Sequence, residues 1–203
     1  YAAADGTAGG ADYTFSSGTL TFAGLVTSMD VSLDILPDNI SEGNEDLTLQ
    51  LSNPTWAILG GNDAQTFTIN DDDGLPDIFF TNNNSTVVED VVSTDITVEL
   101  TNPSSTAITV NFAASGGAAV GGGEDYTLGA GTLTFAAGEV SKIISVPVND
   151  DNISEPTEDF NITLSGASVN SEIDLARDVH NLSITDNDLT PTVRFAAATS
   201  NVN

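Results

Sequence analysis

Through most of the second half of the chain, apolar residues alternate with polar ones. The alternation runs through residues 94–100 (TDITVEL), 108–112 (ITVNF), 132–135 (TLTF), 141–148 (SKIISVPV), 159–164 (DFNITL) and 179–184 (VHNLSI), and residues 77–80 and 87–88 add a broken first strand. A period of two puts successive side chains on opposite faces, so each run predicts a strand with one face in a core. Gly, Asn and Ser fill the connections, and no long 3.6-residue period competes. Seven short strands in this span predict an antiparallel seven-stranded β-sandwich of the immunoglobulin-like kind. Pro147 belongs on an edge strand, because it has no N–H to donate to a ladder.

The pattern is also written twice. Residues 12–73 contain DY, GTLTF, ISEGNED and TINDDD, and residues 125–188 contain DY, GTLTF, ISEPTED and SITDND in the same order. Asp12, Gly18, Phe22, Glu42 and Glu45 recur as Asp125, Gly131, Phe135, Glu155 and Glu158, each 113 residues later, and Asp71 recurs as Asp186 after 115. Self-similarity at a fixed period signals consecutive copies of one folded unit. The expected organisation is therefore all-β and tandem: one complete repeat at 75–188, the C-terminal part of a repeat at 1–74, and the first strand of a further repeat at 189–203, where Pro191 aligns with Pro76. Such a chain is expected to be an excerpt from a longer array.

Composition narrows the function. A hydrophobic fraction of 39% suffices for sandwich cores despite a net charge of −27. Thirty acids against three bases (Lys142, Arg177, Arg194) exclude a cationic nucleic-acid surface and docking on anionic membranes. There is no cysteine, hence no disulfide and no thiol catalysis. No apolar run is long enough to span a bilayer.

Sorting the acids by connection reveals a polarity. If consecutive strands reverse direction, one pole of the complete repeat receives Glu89, Asp90, Glu124, Asp125, Asp150, Asp151, Glu155, Glu158, Asp159, Asp186 and Asp188. The other receives Glu139, Glu172, Asp174 and Asp178, a division of eleven against four. Carboxylates within about 4–6 Å repel by roughly 1 to several kcal/mol per pair, so such a cluster must splay, take up protons or hold cations. Oxygen ligands drawn from several loops suit calcium, which accepts six to eight in irregular geometry, better than magnesium. Zinc would want His or Cys, and the chain has one His and no Cys.

With Asp-Tyr, GTLTF, the DD-x₃-E-x₂-E stretch and the terminal DND or DDD together, the chain resembles tandem Calx-beta repeats. These are sandwich modules of sodium–calcium exchangers, integrin-type receptors and very long bacterial surface proteins. The resemblance implies calcium ligands at Glu89, Asp125, Asp150, Asp151, Glu155, Glu158, Asp186 and Asp188 in the complete repeat. In the partial repeat it implies Asp12, Asp38, Glu42, Glu45, Asp71 and Asp73. Pro37 stands where Asp150 stands, and no early glutamate matches Glu89, so the first site is expected to hold fewer ions or to bind them weakly. Asn187 replaces the middle aspartate found at Asp72. The resemblance further implies a structural, calcium-binding segment of a long extracellular, adhesin-like protein, with calcium stiffening the joints between repeats. The expected partners are neighbouring repeats of the same chain and a further cell-surface or matrix component. Low lysine content, array character and the lack of cysteine point to a bacterial cell surface.

Other readings are weaker on the residues. DDDGLPD begins like an EF-hand loop but lacks the closing acid. His180 lies in phase with Leu182 and Ile184, as a structural imidazole would. Trp56 reads as a packing residue near a turn, and most aromatics, Phe22, Phe67, Phe135 and Phe160 among them, fall on core-phased positions. A crowd of acids does not resemble the few divergent carboxylates of a glycosidase, so no enzyme is expected. The alternative function is a carbohydrate- or protein-binding adhesion module whose acidic pole is only a solvated surface.

Overall fold

The structure, a computed structural model, describes residues 1–195. It divides into two units, Tyr1–Leu75 with Asn102–Thr106, and Pro76–Thr101 with Ala107–Asn203. The first unit contains β1 (Ala2–Asp5), β2 (Tyr13–Thr14), β3 (Asp34–Ile35), β4 (Glu45–Gln50) and β5 (Ala64–Ile69). An antiparallel sheet of order β1-β4-β5 and a short β2–β3 ladder make up its regular structure. Its core is small: Ala8, Tyr13 and Leu47 are buried, with Phe15, Leu49 and Phe67 partly buried against them.

The second unit builds the sandwich. It comprises β6 (Asp77–Phe80), β7 (Asn84–Val88), β8 (Ser93–Leu100), β9 (Ile108–Ser115), β10 (Gly131–Phe135), β11 (Ser141–Pro147), β12 (Glu158–Ser165), β13 (Glu172–Ile173) and β14 (Val179–Thr185). One sheet has the order β10-β9-β12-β14-β7, the other β11-β8-β6-β13. Alternate residues of both sheets enter one core, including Phe80, Val98, Val110, Phe135, Val146, Phe160, Ile162 and Leu182, which have 0% exposure. Pro147 ends β11, an edge strand paired only with β8. The all-β sandwich expected from the alternation is present here, with two departures from a purely antiparallel layout. β7 runs parallel to β14, and β13, which the sequence pattern did not reveal, runs parallel to β6.

Both departures come from the broken first strand, which leaves one sheet after Phe80 and enters the other at Asn84. His180, 2% exposed, secures this crossing. Its Nδ1 bonds the Asn82 carbonyl, which can only accept, so Nδ1 carries the proton and Nε2 accepts from the Ser85 hydroxyl at 2.8 Å. Phe80 packs beside the ring at 5.6 Å between centroids. The imidazole is structural, as its phase on β14 suggested.

Three expectations fail in the first unit, for one physical reason. In the second unit GTLTF is β10, paired with β9, and Phe135 is fully buried. In the first unit the same five letters at 18–22 form no strand, and Phe22, expected in the core, is 52% exposed. β1, which pairs with β4 as β9 pairs with β12, meets this segment only through Tyr1, whose amine and carbonyl bond Gly18 at 2.8 and 3.0 Å, so no ladder continues to Phe22 and no described sheet covers it. Trp56, expected to pack near a turn, is fully exposed at φ 61°. Its counterpart Ser171 is buried beside β13, and β13 has β6 to pair with, a strand the first unit lacks among the described residues. Residues 189–195 carry no strand, and 196–203, the rest of the expected first strand of a further repeat, lie outside the described residues.

Identical motifs should therefore respond differently to the same truncation. Phe135→Ala should destabilise the second unit by about 3–5 kcal/mol, whereas Phe22→Ala should change stability by under about 1 kcal/mol. Urea unfolding followed by circular dichroism checks both. His180→Ala, by orphaning buried partners, should cost about 1–3 kcal/mol and speed amide exchange at residues 82–88 first.

Candidate metal centre

The repeated Asp-Tyr pair shows how the fold delivers carboxylates to one end. Tyr126 is buried and stacks on Phe160 with centroids 3.6 Å apart. That anchorage leaves Asp125 at the mouth of the preceding loop, where its Oδ2 accepts from the Val120 amide. The loop can lie this close to β12 only because residue 117 is glycine: at φ 85° a Cβ there would sit 1.8 Å from the Asp159 carbonyl oxygen. Tyr13, also buried, donates its hydroxyl proton to Asp5 and leaves Asp12 in the equivalent place.

In the second unit the chain leaves β7 at Glu89, whose amide donates to the Thr185 carbonyl at 3.1 Å. This bond sets the Glu89 side chain beside the end of β14. Asp186 then organises the neighbouring loops: its Oδ1 accepts from the Asp188 amide at 2.8 Å and its Oδ2 from the Glu155 amide at 3.0 Å. Glu89, Asp186 and Asp188 each present an oxygen within 4.8 Å of the others. Asp150 accepts from the Asn187 side-chain amide at 3.3 Å, and Asp151 accepts from the Ile153 amide at 2.6 Å.

The first unit uses the same wiring. Asp71 accepts from the Glu42 and Asp73 amides at 3.0 and 3.2 Å, and Asp38 accepts from the Ile40 amide at 2.7 Å. Its tight triad is different, however: Asp12, Glu42 and Glu45 present oxygens within 4.8 Å of one another. Together with Asp38, Asp71 and Asp73 they line a cleft of about 460 Å³. Pro37 lines it as well, where the second unit has Asp150. Asp72, absent from the set implied by the sequence, also lines the cleft; its place in the DDD run was the available signal.

The structure thus draws all fourteen sequence-derived acids to their two poles. The two ion pairs among the described residues, Lys142–Glu139 and Arg177–Asp174, both at 2.7 Å, use other acids. The electrostatic result is crowding of carboxylates at both poles. Burial raises the Glu89 carboxyl above the usual glutamate range, reinforced by Asp186, Asp188, Asp151 and Asp150. Burial and neighbouring carboxylates likewise raise Asp188, Glu155, Glu158, Glu42, Glu45 and Asp73. Asp186 is the exception: the amide of Asp188 donates to it and holds its carboxyl below the usual range. Most telling are two buried oxygens without any hydrogen-bond partner, Glu89 Oε1 and Asp188 Oδ2. Native folds rarely bury unpaired acceptors, and anionic ones need a compensating charge. An all-oxygen, all-anionic donor set with orphaned atoms fits a hard divalent cation.

Comparison with known proteins agrees with this arrangement. The sequence model of the Calx-beta domain matches residues 1–73 and 71–188. Sodium/calcium exchanger 1 of Bos taurus is 32% identical over 175 residues, covering 77% of this chain and 18% of the exchanger. Sodium/calcium exchanger 3 of Homo sapiens is 30% identical over 186 residues, covering 81% of this chain and 20% of the exchanger. The chain therefore spans about a fifth of the length of these relatives. Among solved structures, the apo-form Calx CBD1 domain shares the fold with a TM-score of 0.53 at 24% identity, over 57% of this chain and all of that one. The calcium binding domain CBD12 of CALX1.1 superposes with a TM-score of 0.51 at 25% identity, over 55% of this chain and 44% of that chain. With a repeated motif, a two-sheet fold and two family matches in succession, the chain belongs to the Calx-beta family and carries two of its domain segments in tandem.

Proposed function

We propose that the chain is a calcium-binding structural segment in which ions at each acidic pole order the loops that form it. The observation that carries this reading is Glu89: a buried carboxylate with an unpaired oxygen, facing Asp186 and Asp188 with no cationic side chain in hydrogen-bond contact among the described residues. A bound calcium ion would supply the missing positive charge and the missing partner for Glu89 Oε1 and Asp188 Oδ2. In the second pole Glu89, Asp150, Asp151, Asp186 and Asp188 would hold one part of the ion set, and Asp125, Glu155 and Glu158 the other. In the first pole Asp12, Glu42 and Glu45 would bind, with Asp38, Asp71 and Asp73 beside them.

In sequence, each acid set closes immediately before the next repeat begins: Asp73 precedes Pro76, and Asp188 precedes Pro191. Calcium at these positions would stiffen the joints of an array, extended when loaded and more flexible and protease-sensitive when stripped. The role we propose for the parent protein is an extracellular, adhesin-like one at a bacterial surface. Its partners would be neighbouring repeats and a further surface or matrix component. No helix among the described residues is long and apolar enough to cross a membrane.

Binding that favours the folded form adds RT ln(1 + [L]/Kd), about 2.7 kcal/mol at a hundredfold excess, so calcium should raise the melting midpoint by on the order of 10 °C over chelator. An unchanged midpoint with no heat of binding in titration calorimetry would refute the reading. Glu89→Gln keeps the shape but removes the charge. It should raise the melting midpoint of the metal-free protein and weaken calcium binding at least about tenfold, opposite signs that an inert surface residue would not produce.

The pH dependence follows from the raised carboxyls. A group whose folded pKa is raised holds its proton more tightly in the folded state. Its contribution is complete below the ordinary carboxylate range and is lost as pH rises through the raised value. In chelator, melting midpoints should therefore fall as pH rises above the ordinary carboxylate range, against the usual acid-denaturation trend. Saturating calcium should remove the fall, because the ion takes the place of the protons. Differential scanning calorimetry with and without calcium checks both halves.

A further inference from the structure

The second pole holds a third unpaired atom, and it does not belong to an acid. Among the described residues, the buried side-chain atoms without a hydrogen-bond partner are Glu89 Oε1, Asp188 Oδ2 and Asn149 Nδ2. All three sit at the same pole. The backbone brings Asn149 there: the Val148 amide donates to the Val92 carbonyl at 3.2 Å, and the Asn149 amide donates to the Asp125 carbonyl at 2.9 Å. Asp150 and Asp151 follow directly, and Asp150 accepts from the Asn187 side-chain amide at 3.3 Å.

The first unit shows which way this position faces. The counterpart of Asn149 is Leu36, 113 residues earlier, whose amide donates to the Asp12 carbonyl, also at 2.9 Å. Leu36 and Pro37 line the acidic cleft together with Asp12, Asp38, Glu42 and Glu45. The same backbone bond in the second unit sets Asn149 against its own carboxylates. Where the first pole has two apolar residues in succession, the second has Asn149 and Asp150, both of which carry side-chain oxygens.

An amide nitrogen is misplaced among acceptors that it does not reach. A side-chain amide keeps nearly the same shape when its oxygen and nitrogen are exchanged, so a half-turn of the last torsion puts Oδ1 where Nδ2 now lies. It would stand there beside Glu89 Oε1 and Asp188 Oδ2 as a further oxygen without a donor. Calcium accepts neutral carbonyl oxygens alongside carboxylates and takes six to eight ligands in all. At a crowded pole a neutral ligand adds coordination without adding to the repulsion among the acids.

We propose that Asn149 is a neutral oxygen ligand of the second pole, a role that rests on the calcium reading above but falls on a residue outside the acidic set. The first pole, with Leu36 in its place, lacks that ligand.

Two substitutions separate the oxygen from the nitrogen. Asn149→Leu installs the side chain that the first unit carries, and Asn149→Asp keeps an oxygen but loses the amide hydrogens. Both are made in the intact chain carrying Glu42→Gln and Glu45→Gln, which confines ion binding to the second pole. Without metal, Asn149→Leu should raise the melting midpoint by a few degrees over this parent, because it removes a buried unpaired donor. In titration calorimetry the same variant should bind calcium about tenfold more weakly. Terbium, which also seeks oxygen ligands, gives a separate readout: luminescence lifetimes in H2O and D2O should count about one more coordinated water in Asn149→Leu than in the parent. Asn149→Asp should bind calcium at least as tightly as the parent and keep its water count, while its metal-free midpoint falls. A parent that binds no calcium would overturn the calcium reading and the role of Asn149 with it. A parent that binds, with affinity and water count unchanged in Asn149→Leu, would overturn the role of Asn149 alone. Asn149→Asp behaving like Asn149→Leu would also overturn it, because the amide hydrogens rather than the oxygen would then be what the site needs.

Discussion

A β-sheet persists only when its apolar face is covered, and the second unit meets that condition with two sheets closing on one core. Phe80, Phe135, Phe160 and Leu182 have no exposure, and they come from both sheets. Everything else in that unit hangs on this burial. Tyr126 stacks on Phe160 and thereby fixes Asp125; β14, buried through Leu182 and Ile184, fixes Asp186 and Asp188 at its end. Where no second layer covers the sheet among the described residues, as in the first unit, the same motifs lose definition. Leu47 is still buried, but Phe22 and Ile58 face solvent.

The acidic pole is the opposite kind of feature: it is tolerated by the fold rather than stabilised by it. Backbone amides hold Asp186 and Asp71 in place, and those two carboxylates orient the loops that bring their neighbours near. The neighbours gain burial and mutual repulsion, which is why the glutamates at both poles hold their protons more tightly than a free glutamate does. A fold that keeps like charges together at the expense of stability leaves an energetic gap of the kind a divalent cation would close. Glu89 marks it most clearly, since its unpaired oxygen is buried.

Much of this was readable beforehand. The two-residue alternation located every long strand of the second unit within a residue or so at most ends, and the 113-residue offset identified the duplicated acids. Sorting acids by connection placed them at one pole without knowledge of the sheet order. The short parallel strand β13 was not readable, because two residues, Glu172 and Ile173, carry no periodicity; only the proximity of β6 makes them a strand. Nor could the string distinguish Phe22 from Phe135, or show that the tight triad is Asp12, Glu42 and Glu45 in one unit but Glu89, Asp186 and Asp188 in the other.

By itself, then, the order of amino acids determined the class of fold, the existence of a duplicated unit and the chemistry of the pole. These depend on local period and residue type, which the chain carries at every position. The tertiary structure alone decided which copies of a motif become strands, which aromatics are buried and which oxygens are left without partners. Those outcomes depend on whether a distant segment arrives to pair or to cover. GTLTF is a strand at 131–135, where β9 lies alongside its whole length, and an irregular segment at 18–22, where Tyr1 bonds Gly18 and no described strand continues the ladder.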